Sequence, residues 1–327
     1  MSSDLRLPVV HIGLGKTATT SLQQNVFPNI PSIRDEVIYN DGALIAQLSF
    51  RNLMTEIEEE RFHTAFRLNR NFISYENLVD WNPRNWKAAA EKNLRLFGRD
   101  TIIVITVRPT ESYLRSVYQQ MVHQGDVWSP VEFFVNHEEF DRISPLLPQS
   151  GLIKFDVDSF NLELLYQLYS ERFSKVVMVP LSTVSKLEFM KKIFYLNEEE
   201  VSFLKSKMKN GKIHNRAYSR SAMALTMKRE KLLNRIGLMS FGSAAREIVA
   251  RADIEPRSVF RDLKFGDKLR SIPKRIVNRI GRELHWRHFI QNRFDKIVPY
   301  RKYSLPDSVY INDELARKND SFIRAFE

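Results

Sequence analysis

The sequence predicts an α/β protein, a central parallel sheet covered by helices, with a helical, basic C-terminal extension. Three observations predict it. Short, continuously apolar runs rich in β-branched and aromatic residues at 8–12, 72–75, 101–107 and 175–181 suit strands buried on both faces. Helical spacing of apolar residues fills the intervals, most cleanly at Leu114, Val117, Tyr118, Met121 and Val122 within 111–123. Strands alternating with helices build parallel sheets through βαβ units. Further helices are expected over 43–67, where Leu44, Ile45, Leu48, Leu53 and Ile57 recur, and over 159–172, 182–194, 218–250 and 274–298. Residues 251–273 read as irregular, and no strand is expected after residue 218. The expected division is an α/β core over 1–225 and an extension over 226–327, packed on or beside the core.

Composition sets outer bounds. The chain has 327 residues, 43% of them hydrophobic and 27% charged, which is ordinary for a globular protein with a sizeable core. There is no cysteine, so disulfides, thiolate metal sites and a cysteine nucleophile are excluded. The N-terminal residues do not read as a signal peptide, and no run approaches the ~20 apolar residues of a membrane span. The expectation is a cytoplasmic protein. The formal net charge is +11, and residues 264–303 hold twelve Lys/Arg against three Asp/Glu. Such a stretch points to an anionic partner or surface.

The first strand runs into Gly13-Leu14-Gly15-Lys16-Thr17-Ala18-Thr19-Thr20-Ser21, ahead of a helix. Exposed N–H groups at a helix start, together with a lysine, make an anion site. A nucleotide triphosphatase loop needs a glycine six residues before the lysine, where this chain has Val10. It also needs an Asp at the end of a neighbouring strand to hold magnesium, whereas the run 101–107 ends at Arg108. A cation there opposes a metal and favours a second phosphate. Pro109 stops that strand, Thr110 reads as a helix N-cap, and Glu111 suits the first turn. Arg108 at the strand end and Ser116, on the polar side of the helix with Ser112 and Gln119, are expected at one crevice. Open α/β sheets bind ligands at the carboxyl ends of their strands.

Together these segments resemble the sulfotransferase family. HIGLGKTATTSLQ is similar to its 5′-phosphosulfate loop, here Lys16-Thr17-Ala18-Thr19-Thr20. VRPTESYLRS is similar to its 3′-phosphate element, with Arg108 and Ser116 keeping the spacing. FISYENL resembles the Ser-x-Glu-Asn-Leu strand end of carbohydrate-acting and bacterial members, and HNRAYSRSAMAL a later segment that closes over the nucleotide. The likeness runs from about residue 8 to 225. Ala18 stands where the family carries glycine and is expected to tighten the loop slightly. Ser182-Thr183 stand where many members carry a glutamate-bearing motif.

The resemblance implies a P-loop-like three-layer domain that transfers a sulfuryl group from 3′-phosphoadenosine 5′-phosphosulfate (PAPS) to a hydroxyl, leaving 3′,5′-ADP, with no metal. It implies Gly15, Lys16, Thr17, Ala18, Thr19 and Thr20 at the 5′-phosphate, with the threonine hydroxyls contributing, and Arg108 and Ser116 at the 3′-phosphate. Arg216 and Ser219 follow from the closing segment. Lys16 and Glu76 are the expected catalytic residues. Glu76 would take the acceptor proton, with His123 the competing base. His11, inside an apolar strand, reads as a satisfied core residue. The acceptor is expected to be a glycan or glycolipid hydroxyl.

Two other classes compete, a metal-dependent kinase or triphosphatase and a nucleic-acid binder. The second is disfavoured because Phe265, Trp286, Phe289 and Phe294 fall on one apolar stripe and form no stacking platform. For 264–303, peripheral contact with an anionic membrane or polymer stands beside a solvated basic face.

Overall fold

The computed structural model describes residues 7–123, 128–143, 154–210, 218–235 and 297–327. The strands are β1 (Val9–His11), β2 (Val37–Tyr39), β3 (Arg70–Ser74), β4 (Ile102–Val107), β5 (Phe134–Val135), β6 (Phe155–Asp156) and β7 (Lys175–Pro180). The α-helices among the described residues are α1 (Thr19–Asn25), α2 (Gly42–Leu48), α3 (Glu56–Arg67), α4 (Trp86–Phe97), α5 (Thr110–His123), α6 (Pro130–Phe133), α7 (His137–Ile143), α8 (Leu162–Ser170), α9 (Glu188–Phe194), α10 (Glu198–Asn210), α11 (Arg220–Arg235) and α12 (Asp313–Arg324). None of them is long and apolar enough to cross a membrane. The chain divides into two compact units, one of Met1–Tyr113, Phe160–His214 and Asp313–Glu327, the other of Leu114–Ser159 and Asn215–Asn312.

The first unit holds a five-stranded sheet in the order β2-β3-β1-β4-β7. Every pairing is parallel, with Val9 opposite both Phe72 and Ile102. All residues of β1, β3 and β4 are buried, as their unbroken apolar runs require. Successive side chains point to opposite faces. Val9, Phe72, Ile102, Val104 and Val179 join one core with Leu22 of α1, Phe189 and Met190 of α9, and Val201 and Leu204 of α10. The alternate residues Val10, Ile73, Ile103 and Ile105 are equally buried and face the other way, toward the layer of α3, α4 and α8. The expected α/β class and parallel sheet are therefore present, with helices on both faces.

Local signals place the helices more finely than apolar spacing did. The helix expected over 43–67 is two helices. Asp41 caps α2 by accepting Ala43 N–H at 2.9 Å and Leu44 N–H at 3.0 Å. Thr55 and Glu58 then form a capping box that starts α3 afresh. The expected 182–194 helix is likewise a 3-10 turn at Val184–Lys186 followed by α9, with Leu187 at positive φ between them. After residue 218 the described residues show no strand, only a single antiparallel bridge between Ser219 and Lys302. Residues 236–296, including most of the basic stretch, lie outside the described residues.

In the second unit, β5 and β6 form a two-stranded parallel ladder. Phe133, Phe134, Phe155 and Tyr118 pack there edge to face or tilted, and Tyr303 stacks on Tyr118. Asp158 accepts Tyr310 Oη–H at 2.8 Å and Asn312 Nδ2–H at 2.7 Å, which fastens the segment before α12.

The last helix belongs with the sheet. Asn319 of α12 is 1% exposed. It donates to Phe160 O at 2.7 Å and to Thr110 Oγ1 at 3.2 Å, and accepts Leu162 N–H at 2.8 Å. Asp320 accepts Thr110 N–H at 3.0 Å, satisfying an orphan donor at the start of α5. Asn319→Leu keeps the branched outline but strands a buried carbonyl and a buried amide. Each orphan costs about 1–3 kcal/mol, so urea unfolding of the variant is expected to show a loss of at least about 2 kcal/mol.

Candidate functional site

The loop after β1 is held by close packing and by unusual backbone angles. Gly13 and Gly15 are buried. A Cβ on Gly13 would stand 2.2 Å from Thr106 Oγ1 and 2.8 Å from His11 Nε2, and one on Gly15 would stand 2.4 Å from the Trp81 indole. Only glycine fits either position. Lys16 has φ 69° and Ala18 φ 65°, both in the left-handed region. Ala18 is the residue before α1 and provides no side-chain cap. A left-handed residue followed by helical ones turns successive N–H groups toward one point, a nest for an anion. Because α1 has only seven residues, an anion there would depend on this curl rather than on a long helix dipole.

A chain of buried hydrogen bonds fixes the loop to three strands. Thr17 Oγ1 bonds Leu14 O and, at 2.6 Å, Thr106 Oγ1. Thr106 Oγ1 meets His11 Nε2 at 3.2 Å, and His11 Nδ1 meets Ser74 Oγ at 2.7 Å. Gln23 Nε2 of α1 donates to Ser74 Oγ and Ser74 O, both at 3.0 Å. The carbonyl of Leu14 can only accept, and that assigns every proton. Thr17 donates to Leu14, Thr106 to Thr17, His11 Nε2–H to Thr106, and Ser74 to His11 Nδ1. Burial lowers the His11 pKa to about 3, which keeps the ring neutral, so with Nε2–H donating to Thr106 its Nδ1 accepts from Ser74. The expectation of a satisfied core histidine holds.

Around this loop the first unit gathers charge. Arg108, just beyond β4, donates from Nη1 to Lys16 O at 2.8 Å and from Nε to Ser112 Oγ at 2.9 Å. Glu76 opens a 3-10 turn just after β3. Its carboxyl shares a hydrogen bond with Thr19 and lies within electrostatic reach of Lys16. Burial raises its pKa, and Lys16 and Thr19 offset part of that rise. A glutamate raised this way, beside a lysine, is a stronger base than an exposed one.

The structure thus brings Gly15, Lys16, Thr17, Ala18, Thr19, Glu76 and Arg108 together in one unit. Two of the expected hydroxyls have partners inside the protein. Thr17 and Thr19 are buried, one turned onto Leu14 and Thr106, the other onto Glu76. Thr20 is half-buried at the start of α1. Ser116 lies in α5 and His123 is its last residue. Ser219 is buried in the second unit, where Oγ accepts Ala222 N–H at 3.0 Å at the start of α11. Arg216 lies outside the described residues. Sequence reasoning missed Thr106 and Ser74, which hold His11, and Trp81, which covers Gly15. Ser112 had a signal, since it sits four residues beyond Arg108 and is reached by it.

Comparison with family models, with curated proteins and with solved structures found no match.

Two outcomes follow from this geometry. A left-handed L-residue costs roughly 1–2 kcal/mol, against ~0.4–1 kcal/mol that glycine adds to the unfolded chain's entropy. Ala18→Gly is expected to stabilise the protein by about 0.5–1 kcal/mol in chemical denaturation, and Ala18→Val to destabilise it. The second concerns Glu76. Its folded pKa lies above the ordinary 4.5, so its contribution to stability is present below that value and is lost as pH rises through the folded pKa. Glu76→Gln cannot ionise. Its melting temperature should exceed that of the wild type at pH 7–8, with the gain disappearing near pH 4.

Proposed function

We propose that the protein is a sulfotransferase that carries the sulfuryl group of PAPS to a hydroxyl of a glycan or glycolipid, releasing 3′,5′-ADP. The observation that carries the reading is the junction of Lys16, Arg108 and Glu76 at the carboxyl ends of three adjacent parallel strands. In the strand order, β1 is flanked by β3 on one side and β4 on the other. The chain's direction of travel across the sheet reverses there, which is where open α/β sheets hold ligands. That order and the glycine-bearing loop support the P-loop-like form of the fold.

In this reading the nest formed by the loop N–H groups holds the 5′-phosphate. Lys16 places a cation where negative charge grows on the bridging oxygen as the sulfur–oxygen bond breaks, and so favours the transition state over the ground state. The Glu76 carboxylate takes the proton from the acceptor hydroxyl as its oxygen bonds sulfur. Arg108, oriented by Ser112 and by the Lys16 carbonyl, meets the 3′-phosphate.

Titration calorimetry in chelator compares 3′,5′-ADP, 5′-AMP and ATP–Mg²⁺. Hydrogen bonds to charged groups contribute about 1.5–3 kcal/mol, so 3′,5′-ADP should bind at least about tenfold more tightly than 5′-AMP. Arg108→Ala should weaken both nucleotides, because the Lys16 carbonyl loses its clamp, and should erase most of the difference between them. Tight ATP–Mg²⁺ binding with no preference for the 3′-phosphate would make the protein a kinase or triphosphatase instead. With nucleotide affinity intact, Glu76→Gln should lower turnover at least ~100-fold, the low end of general-base effects.

A further inference from the structure

We infer that Arg51 recognises an acidic group on the acceptor, so that the substrate is a carboxylate-bearing hydroxyl compound with an apolar portion; this rests on the sulfotransferase reading. Arg51 is 8% exposed. Buried arginines are ordinarily paired with a carboxylate, yet this one makes no ion pair among the described residues. Its Nη1 donates to Leu78 O at 3.1 Å and to Asn93 Oδ1 at 3.2 Å, both neutral acceptors. Nε and Nη2 have no hydrogen-bond partner among the described residues. A fixed guanidinium with one satisfied edge and one open edge matches a carboxylate, which takes two parallel N–H bonds.

Its place ties it to the site. Leu78 closes the same 3-10 turn that Glu76 opens. Leu78 O is gripped a second time by Asn93 Nδ2 at 2.9 Å, and that amide is held in turn by Tyr169 Oη at 2.9 Å. The charged and titratable groups around Arg51 are Tyr169, Asp80 and Tyr75. Asp80 already accepts Asn82 N–H at 2.8 Å and Asn85 Nδ2–H at 3.3 Å, so it is a distant counter-charge and not a mate. On either side of Arg51, Phe50 is 66% exposed and Leu53 79% exposed. Their exposure beside a buried cation gives the segment the character of a contact surface for an acidic amphiphile.

The probes are 4-nitrophenyl β-D-glucuronide and 4-nitrophenyl β-D-glucoside, which differ in a carboxylate against a hydroxymethyl group. Binding is read by saturation-transfer NMR, with and without 3′,5′-ADP, on wild type, Arg51→Gln and Leu53→Ser. The glucuronide is expected to bind wild type at least about tenfold more tightly than the glucoside. Arg51→Gln should erase that preference with 3′,5′-ADP affinity unchanged, and Leu53→Ser should weaken both glycosides alike. The wild-type comparison needs no variant, so a folding defect in Arg51→Gln leaves it decisive. Equal affinity for the two glycosides, no glucuronide binding, or a preference that survives Arg51→Gln overturns the inference. Failure of 3′,5′-ADP to bind overturns the PAPS reading instead, and is read separately.

Discussion

The loop that carries Lys16 depends on one buried chain of hydrogen bonds, Gln23–Ser74–His11–Thr106–Thr17–Leu14. Each hydroxyl proton in it is used once, and the direction of the whole chain is set by a backbone carbonyl that cannot donate. Five structural elements meet there: α1, β3, β1, β4 and the loop itself. Buried polar networks rigidify a site when every member is satisfied and cost free energy when one is not. Here every member is satisfied, and Gly13 lacks a side chain because Thr106 and His11 fill that space. The same close packing recurs where Trp81 lies against Gly15.

This frame allows two non-glycine residues to sit at positive φ within three positions. Strained backbone of this kind persists only where the surroundings over-determine it, and it clusters at functional sites. Lys16 and Ala18 hold this strain, and the Lys16 carbonyl lies where Arg108 grips it. Glu76 completes the arrangement from the next strand, with its charged form disfavoured by burial. The site therefore holds free energy in two forms, backbone strain and a partly desolvated carboxylate. Both are expected where stability is given up for activity.

The sequence made the central strands legible because strands buried on both faces leave unbroken apolar runs. β2 escaped notice because it has three residues at a sheet edge, with Ile38 exposed, and so too little apolar signal. The division of 43–67 was written in Asp41 and in Thr55 with Glu58, whose capping outweighs the apolar spacing that runs across the break. α12 docks through Ile323 and Phe322 as well as through Asn319 and Asp320, and the two polar partners are the ones that no hydrophobic pattern marks. Within the site, Lys16, Glu76 and Arg108 could be named because each lies in the segment that follows a recognisable strand. The partners that orient them, Ser74 and Thr106, are 63 and 95 residues from His11, and no local pattern joins them. The inward turn of the Thr17 and Thr19 hydroxyls was equally unreadable, since a threonine in a loop has the same letter whichever way it points.

The most direct measurement is the state of the His11 imidazole. Nitrogen-15 NMR at pH 5, with resonances assigned through His11→Gln, should show a neutral ring with its proton on Nε2. An ordinary histidine, with a pKa near 6.5, would be mostly protonated at that pH. An imidazolium at pH 5, or a proton on Nδ1, would contradict the chain of donors on which the geometry of the loop rests.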